Sequence, residues 1–196
     1  TNIKYMQGDI LSLNQLEREF DIIESVGVLH HMDDPLAGWK VLVDRLRSGG
    51  LMKVGLYSDM ARQHIVKAHK HIAKKKYTTS PDDIRKFRQE VINMDLNSDS
   101  EITKVISSPD FYSLSACRDL LFHVQEHRFT LPQIEVALND LDLRFLGFEL
   151  KQSWIMSFSE FYPEKDALTS LSLWHQFELK NPRTFRGMYQ FWVQKA

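Results

Sequence analysis

The 196-residue chain carries 25 Lys and Arg against 26 Asp and Glu, so its net charge of −1 gives no overall field to recruit nucleic acid or an anionic membrane. Apolar residues make up 43% and charged residues 26%, the balance of a folded globular chain rather than a disordered one. The single cysteine, Cys117, excludes an internal disulfide and a thiolate zinc site, and no apolar run reaches the roughly 18–20 residues that cross a bilayer.

Taken in chain order, Ile3-Lys4-Tyr5-Met6 reads as a short strand closed by Gly8-Asp9, and Leu13 to Glu19 as a short helix. Phe20-Asp21-Ile22-Ile23-Glu24-Ser25-Val26 is nearly continuous in apolar character, which suits a parallel strand covered on both faces. Asp34-Pro35 opens a helix, with aspartate as cap and proline at the first helical position. Leu36, Trp39, Val43 and Leu46 follow at helical spacing, and Gly49-Gly50 is expected to stop that helix. Leu51 to Tyr57 is the next strand, which makes a βαβ unit with a right-handed crossover.

From about residue 59 to 128 the pattern is helical. It holds a basic stretch from Arg62 to Lys76, a helix from Pro81 to Met94 and another from Ser113 to Val124. Thr130 then caps a helix over Leu131 to Leu141, Arg144 to Leu150 is a strand, and Lys165 to Leu179 is helical. The chain closes on an aromatic-rich strand, Met188 to Val193. The expected organisation is residues 1–58 as sheet region, 59–128 as a helical insertion, and 129–196 as the last helix and strands of the same α/β domain.

The run from Phe20 through Val28-Leu29-His30-His31-Met32-Asp33-Asp34-Pro35 resembles the fourth strand and following loop of class I S-adenosylmethionine-dependent methyltransferases. Leu46 to Met52 resembles that family's link into its fifth strand, and Gly8-Asp9-Ile10 its adenine-contacting turn. The three stretches stand in the family's order over residues 3–57. Residues 131–150 and 188–193 are compatible with its last helix and its antiparallel sixth and seventh strands.

The resemblance implies a Rossmann-like class I methyltransferase sheet, incomplete at the N-terminus, with a helical insertion and an antiparallel C-terminal strand pair. It implies S-adenosylmethionine as cofactor and an unidentified methyl acceptor. Asp9 would accept from the adenine amino group, the Ile10 backbone would meet the ring edge after Gly8, and Ser25, Val26, Gly27 and His30 would lie against the methionine part. The family's glycine-rich turn and ribose-binding acid should precede Ile3. This chain alone is therefore expected to bind cofactor weakly and to be inactive, and its sheet edge is expected to make a homodimer. The resemblance designates no catalytic residue.

Other readings weigh less. Adjacent His30 and His31 invite a general-base role, but the family loop carries histidines there without one. His123 and His127 lie four apart around Glu126, yet in an order unlike that of metalloproteases, and no metal is expected. Arg62, Lys67, Lys70, Lys74, Lys75 and Lys76 run without an intervening acid. A solvated helix face accounts for them more simply than RNA, so nucleic acid is not an expected partner, nor is a membrane. Trp154, Phe158, Phe161, Tyr162, Trp174, Phe185, Tyr189, Phe191 and Trp192 read mostly as core, and Cys117 as a small buried apolar residue. The cytoplasm is the expected location, since no segment resembles a signal peptide. A partner-binding module that has lost catalysis and an RNA-binding or RNA-modifying protein are the alternatives to an enzyme.

Overall fold

In the computed structural model the described residues are 2–94, 101–122, 126–186 and 188–196. The chain divides into two compact units, one of residues 1–58 and 127–196, the other of residues 59–126.

The first unit is built on four strands: β1 (Phe20–Val26), β2 (Leu46–Leu56), β3 (Leu143–Phe148) and β4 (Tyr189–Lys195). Their order in the sheet is β1-β2-β4-β3. β1 and β2 are parallel, and β4 lies antiparallel between β2 and β3. The parallel pair is joined by helix α1 (Pro35–Asp44). Asp34 caps it by accepting from the backbone N–H of Leu36 and Ala37 at 3.0 Å each, with Pro35 at the first helical position.

Gly49 and Gly50 do not end α1. The helix stops at Asp44 with Arg45 as its C-cap, and β2 starts at once with Leu46. The register then jumps from Phe20↔Leu46 to Ile22↔Leu51, so the glycines sit in a bulge of β2. Gly49 has a φ of +73°, and a Cβ at Gly50 would stand 2.8 Å from the Arg47 carbonyl oxygen. The chain needs glycine there for the bulge rather than for a helix end.

Strand register separates two faces. Ile23, Ser25, Met52, Val54, Leu56, Tyr189, Phe191, Val193 and Phe145 share the core face. Trp39 of α1 packs there, 6.2 Å from Phe191. Helices α5 (Leu131–Asp140), α6 (Gln152–Phe161) and α7 (Leu171–Lys180) add to the same core. Phe158 of α6 stacks on Trp174 of α7 at 3.7 Å. Helix α6 is not expected from the sequence; of its aromatics Phe158 is fully buried and Trp154 half-buried against the core, while Phe161 is 56% exposed.

On the opposite face Ile22 pairs Leu51, Glu24 pairs Lys53 and Lys53 pairs Trp192. Lys53 meets Glu149 at 2.7 Å. Ile22 is 57% exposed and Val26 37%, so β1 is an edge strand with one covered face, not two. The strand expected at Ile3–Met6 does not form. Residues 2–9 are irregular, and Ile3, Tyr5 and Met6 are exposed. An isolated extended segment has no ladder of hydrogen bonds and no packed face to hold it. The expected helix at Leu13–Glu19 is replaced by a 3-10 turn at Ile10–Gln15 that packs on α1.

The second unit is helical. It contains α2 (Gln63–Lys75), α3 (Pro81–Asn93) and α4 (Leu114–Leu121). Ile65, Ala68 and Ile72 of α2 join Ile84, Phe87 and Val91 of α3 in a separate core, with Cys117 buried among them. Burial pushes the Cys117 thiol up to about 11, so it packs as an apolar residue rather than reacting. Arg62 and Glu126 stand at the two ends of this unit in sequence. They form a buried two-point ion pair, with Nε donating at 2.7 Å.

Candidate functional site

In open α/β sheets ligands collect at the C-terminal ends of the parallel strands. Here those ends are Ser25-Val26-Gly27 after β1 and Leu56-Tyr57-Ser58 after β2. Tyr189 lies beside them because β4 runs the other way and starts at that edge.

Ser25 is 5% exposed, and its Oγ has no hydrogen-bond partner among the described residues. An unsatisfied buried hydroxyl is costly to leave unmade and so marks a place where a ligand group would be welcome. Gly27 turns the chain out of the strand at φ +78°, with open space where a Cβ would stand. Its N–H still reaches the Gly55 carbonyl at 3.4 Å. Gly55 admits that closeness, since a Cβ there would stand 2.7 Å from Val26 Cγ1.

The loop then makes a 3-10 turn at Leu29–His31 that buries Leu29 and His30 completely. The His30 ring lies 3.8 Å from that of Tyr57 and 4.4 Å from that of His31. Its carbonyl accepts from His127 N–H at 2.8 Å, and the Tyr57 carbonyl accepts from Phe129 N–H at 2.9 Å. Residues 127–129 thus strap the loops after β1 and β2 together by backbone. His30 is a buried ring in an aromatic stack, with no access for a substrate proton. His127 serves through its backbone, while His123, four residues before it, lies outside the described residues. Among the described residues no group of three or more His, Cys, Asp or Glu is placed to hold a metal ion.

The N-terminal candidates are placed differently. Gly8 is exposed, with open space where a Cβ would stand. Asp9 caps the 3-10 turn by accepting from Leu11 N–H at 2.8 Å, and Ile10 is half-buried against the core. The cap uses Asp9 Oδ1.

Sequence reasoning missed a second group at the same sheet edge. Glu178 of α7 is 1% exposed, and its carboxylate accepts from Ser58 Oγ at 2.9 Å and from the Tyr189 hydroxyl at 2.8 Å. The available signal was a charge on the core side of an amphipathic helix, beside Leu171, Trp174 and Phe177. A large open cleft of about 760 Å³ lies elsewhere, between residues 143–146 of β3 and residues 166–171. It is far along the strand from the loop cluster, and its lining offers no convergent buried polar groups.

The family profile described as a methyltransferase domain matches residues 1–54. An uncharacterized protein of a Synechococcus species is 27% identical over 186 residues, an alignment that covers 90% of this chain and 44% of that protein. Among solved structures, PKMT2 from Rickettsia typhi superposes with a TM-score of 0.70 at 14% identity, covering 94% of this chain and 37% of that one. The same protein in complex with AdoHcy superposes at 0.64, with the same identity and coverage. The chain therefore spans less than half the length of these relatives, and at that identity the solved structures speak for the fold.

Proposed function

We propose that this chain, a domain of class I methyltransferase type, forms part of an enzyme that transfers the methyl group of S-adenosylmethionine to an acceptor. The observation that carries the reading is the strand order β1-β2-β4-β3 with β4 reversed. It corresponds to the fourth, fifth, seventh and sixth strands of that family's sheet, in that order and orientation. The profile match over residues 1–54 and the likeness to PKMT2, solved with AdoHcy, support it.

The residues at the sheet edge fit such a cofactor. Ser25 offers a buried hydroxyl with no partner among the described residues, and Gly27 leaves open space beside a left-handed backbone. Together with Val26 and the backbone at His30 they would hold the methionine part. Asp9 would meet adenine through the oxygen its cap leaves over, with Gly8 and Ile10 beside it. When bound, S-adenosylmethionine supplies a sulfonium methyl group open to in-line displacement. The protein's own task is to hold two reactants in line and exclude water, which needs no fixed triad. Glu178, held by Ser58 and Tyr189, ties α7 to the ends of β2 and β4 at this edge.

The test is Gly27→Val in a protein spanning the full length of the relatives. A side chain at φ +78° both strains the turn and fills the open space. AdoHcy affinity measured by calorimetry should fall at least tenfold with the fold intact. Unchanged affinity would overturn the assignment of this edge.

A further inference from the structure

The helical unit pairs several of its cations internally. Arg62 meets Glu126, Lys75 meets Glu90, Arg85 meets Asp82, Lys86 meets Asp83 and Lys104 meets Glu101. Arg88 donates to the Tyr112 carbonyl. Lys70, Lys74 and Lys76 have no acidic partner within reach among the described residues, and Lys67 contributes only its field at Glu101.

The exposed residues of α2 are Lys67, Lys70, Ala73, Lys74 and Lys75. Lys67, Lys70 and Lys74 form one row. Helical geometry spaces them about 4.5 and about 6 Å apart along the axis, within about 60° of arc. The buried side of α2, with Ile65, Ala68 and Ile72, is already occupied by the unit's own core. Like charges at this spacing repel one another, so an anion bound along the row would relieve a standing cost.

What the row lacks decides its partner. A protein interface has an apolar or aromatic centre, and the exposed face of α2 has none beyond Ala73. A helix that lies in a membrane surface needs an apolar face free to enter the lipid, and that of α2 is buried. Tyr77, the nearest aromatic, donates its hydroxyl to Glu90 at 2.9 Å and sets its ring against Phe87, so it offers no platform for a base. The remaining fit is a phosphodiester backbone. The row is about 10.5 Å long, and one strand of a duplex presents a phosphate about every 3.4 Å along the axis, so three lysines face about three phosphates.

We propose that Lys67, Lys70 and Lys74 of α2 form a docking row for the phosphate backbone of a nucleic acid, read without sequence preference. The inference is independent of the methyl-transfer reading and rests on the helical unit alone.

The test is fluorescence anisotropy of the full chain with a labelled single-stranded RNA 20-mer and a duplex DNA of the same length, between 50 and 200 mM NaCl. For three phosphate contacts the slope of log K against log salt should be about −2 on the single strand and about −3 on the duplex. The relative affinities of RNA and DNA identify which polymer the row prefers. Lys70→Glu with Lys74→Glu should weaken binding at least tenfold at 50 mM salt and flatten the slope, with the circular dichroism unchanged. Arg118→Glu, on α4, should leave binding as it was. If the charge-reversed chain does not fold, Lys70→Gln with Lys74→Gln should still reduce the slope by one or more. No binding at 50 mM salt, or binding that survives both substitutions, overturns the proposal. So does binding to phosphatidylserine vesicles or polyglutamate with neither nucleic acid bound.

Discussion

The hydroxyl of Tyr189 lies 2.8 Å from both carboxylate oxygens of Glu178, joining the first residue of β4 to the last turns of α7. A carboxylate buried to 1% exposure is tolerable only while its donors are present. Tyr189→Phe keeps the ring and removes one donor, so it should cost about 1–3 kcal/mol. Urea unfolding checks this. A loss below about 0.5 kcal/mol would show that Ser58 and the remaining neighbours satisfy Glu178 without it.

Cofactor affinity follows from the site's composition. Among the described residues no strand runs through a glycine-rich turn into a helix N-terminus, the usual cradle for such a ligand. Each 1.4 kcal/mol of lost contact costs about tenfold in affinity. This chain by itself should bind S-adenosylmethionine weakly or not at all, and sub-micromolar binding by calorimetry would contradict that.

Asp9 supplies a sharper test in a protein of the relatives' length. Asp9→Ala removes both the cap of the 3-10 turn, a hydrogen bond of 2.8 Å to Leu11 N–H, and the proposed adenine partner. Loss of a hydrogen bond to cofactor of about 1–3 kcal/mol is expected. Asp9→Asn keeps a capping oxygen and so separates the two roles. If Asp9→Asn restores full AdoHcy affinity, the carboxylate charge is not needed, and if Asp9→Ala changes nothing, the adenine assignment fails.

The free edge of β1 leads to an expectation about assembly. Unpaired edge groups beside exposed Ile22 and Val26 are a template for another strand. We expect this chain to form a homodimer through that edge at micromolar concentration, measured by sedimentation equilibrium. Ile22→Lys should dissociate it without unfolding the subunit. Ile23→Lys would instead damage the core, because Ile23 packs against it. A strictly monomeric chain rejects the dimer, and a dimer indifferent to Ile22→Lys moves its interface elsewhere.

The helical unit should be acid-labile. Burial pushes the Glu90 carboxyl upward, but hydrogen bonds from His71, Tyr77 and Lys75 outweigh it and hold Glu90 below its ordinary 4.5. Glu101 is lowered likewise, chiefly by its bond to Lys104. A group depressed in the folded state contributes stability above its unfolded value, and loses it as pH falls through the folded one. Thermal stability of the unit should therefore drop below about pH 4.5, and Glu90→Gln should flatten that drop. An equal acid slope in the variant would assign the lability to other groups.

The sequence by itself determined the local elements whose signals are carried by neighbouring residues. Asp34-Pro35 marks the start of α1, the run Phe20–Val26 marks β1, and Thr130 with Gln133 makes the capping box of α5. The family resemblance in residues 20–35 was legible for the same reason, since strand, turn and cap lie next to one another in the chain.

Tertiary structure decided the rest. Gly49-Gly50 reads as a helix stop until β1 supplies the register that places the glycines in a bulge. Ile3–Met6 has strand composition but forms no strand, because a strand is made by its partner and none lies beside it. Ser58, Glu178 and Tyr189 lie far apart in sequence, and only the reversal of β4 and the docking of α7 bring them to one edge. Long-range pairing and burial are properties of the packed chain, so no local periodicity announces them.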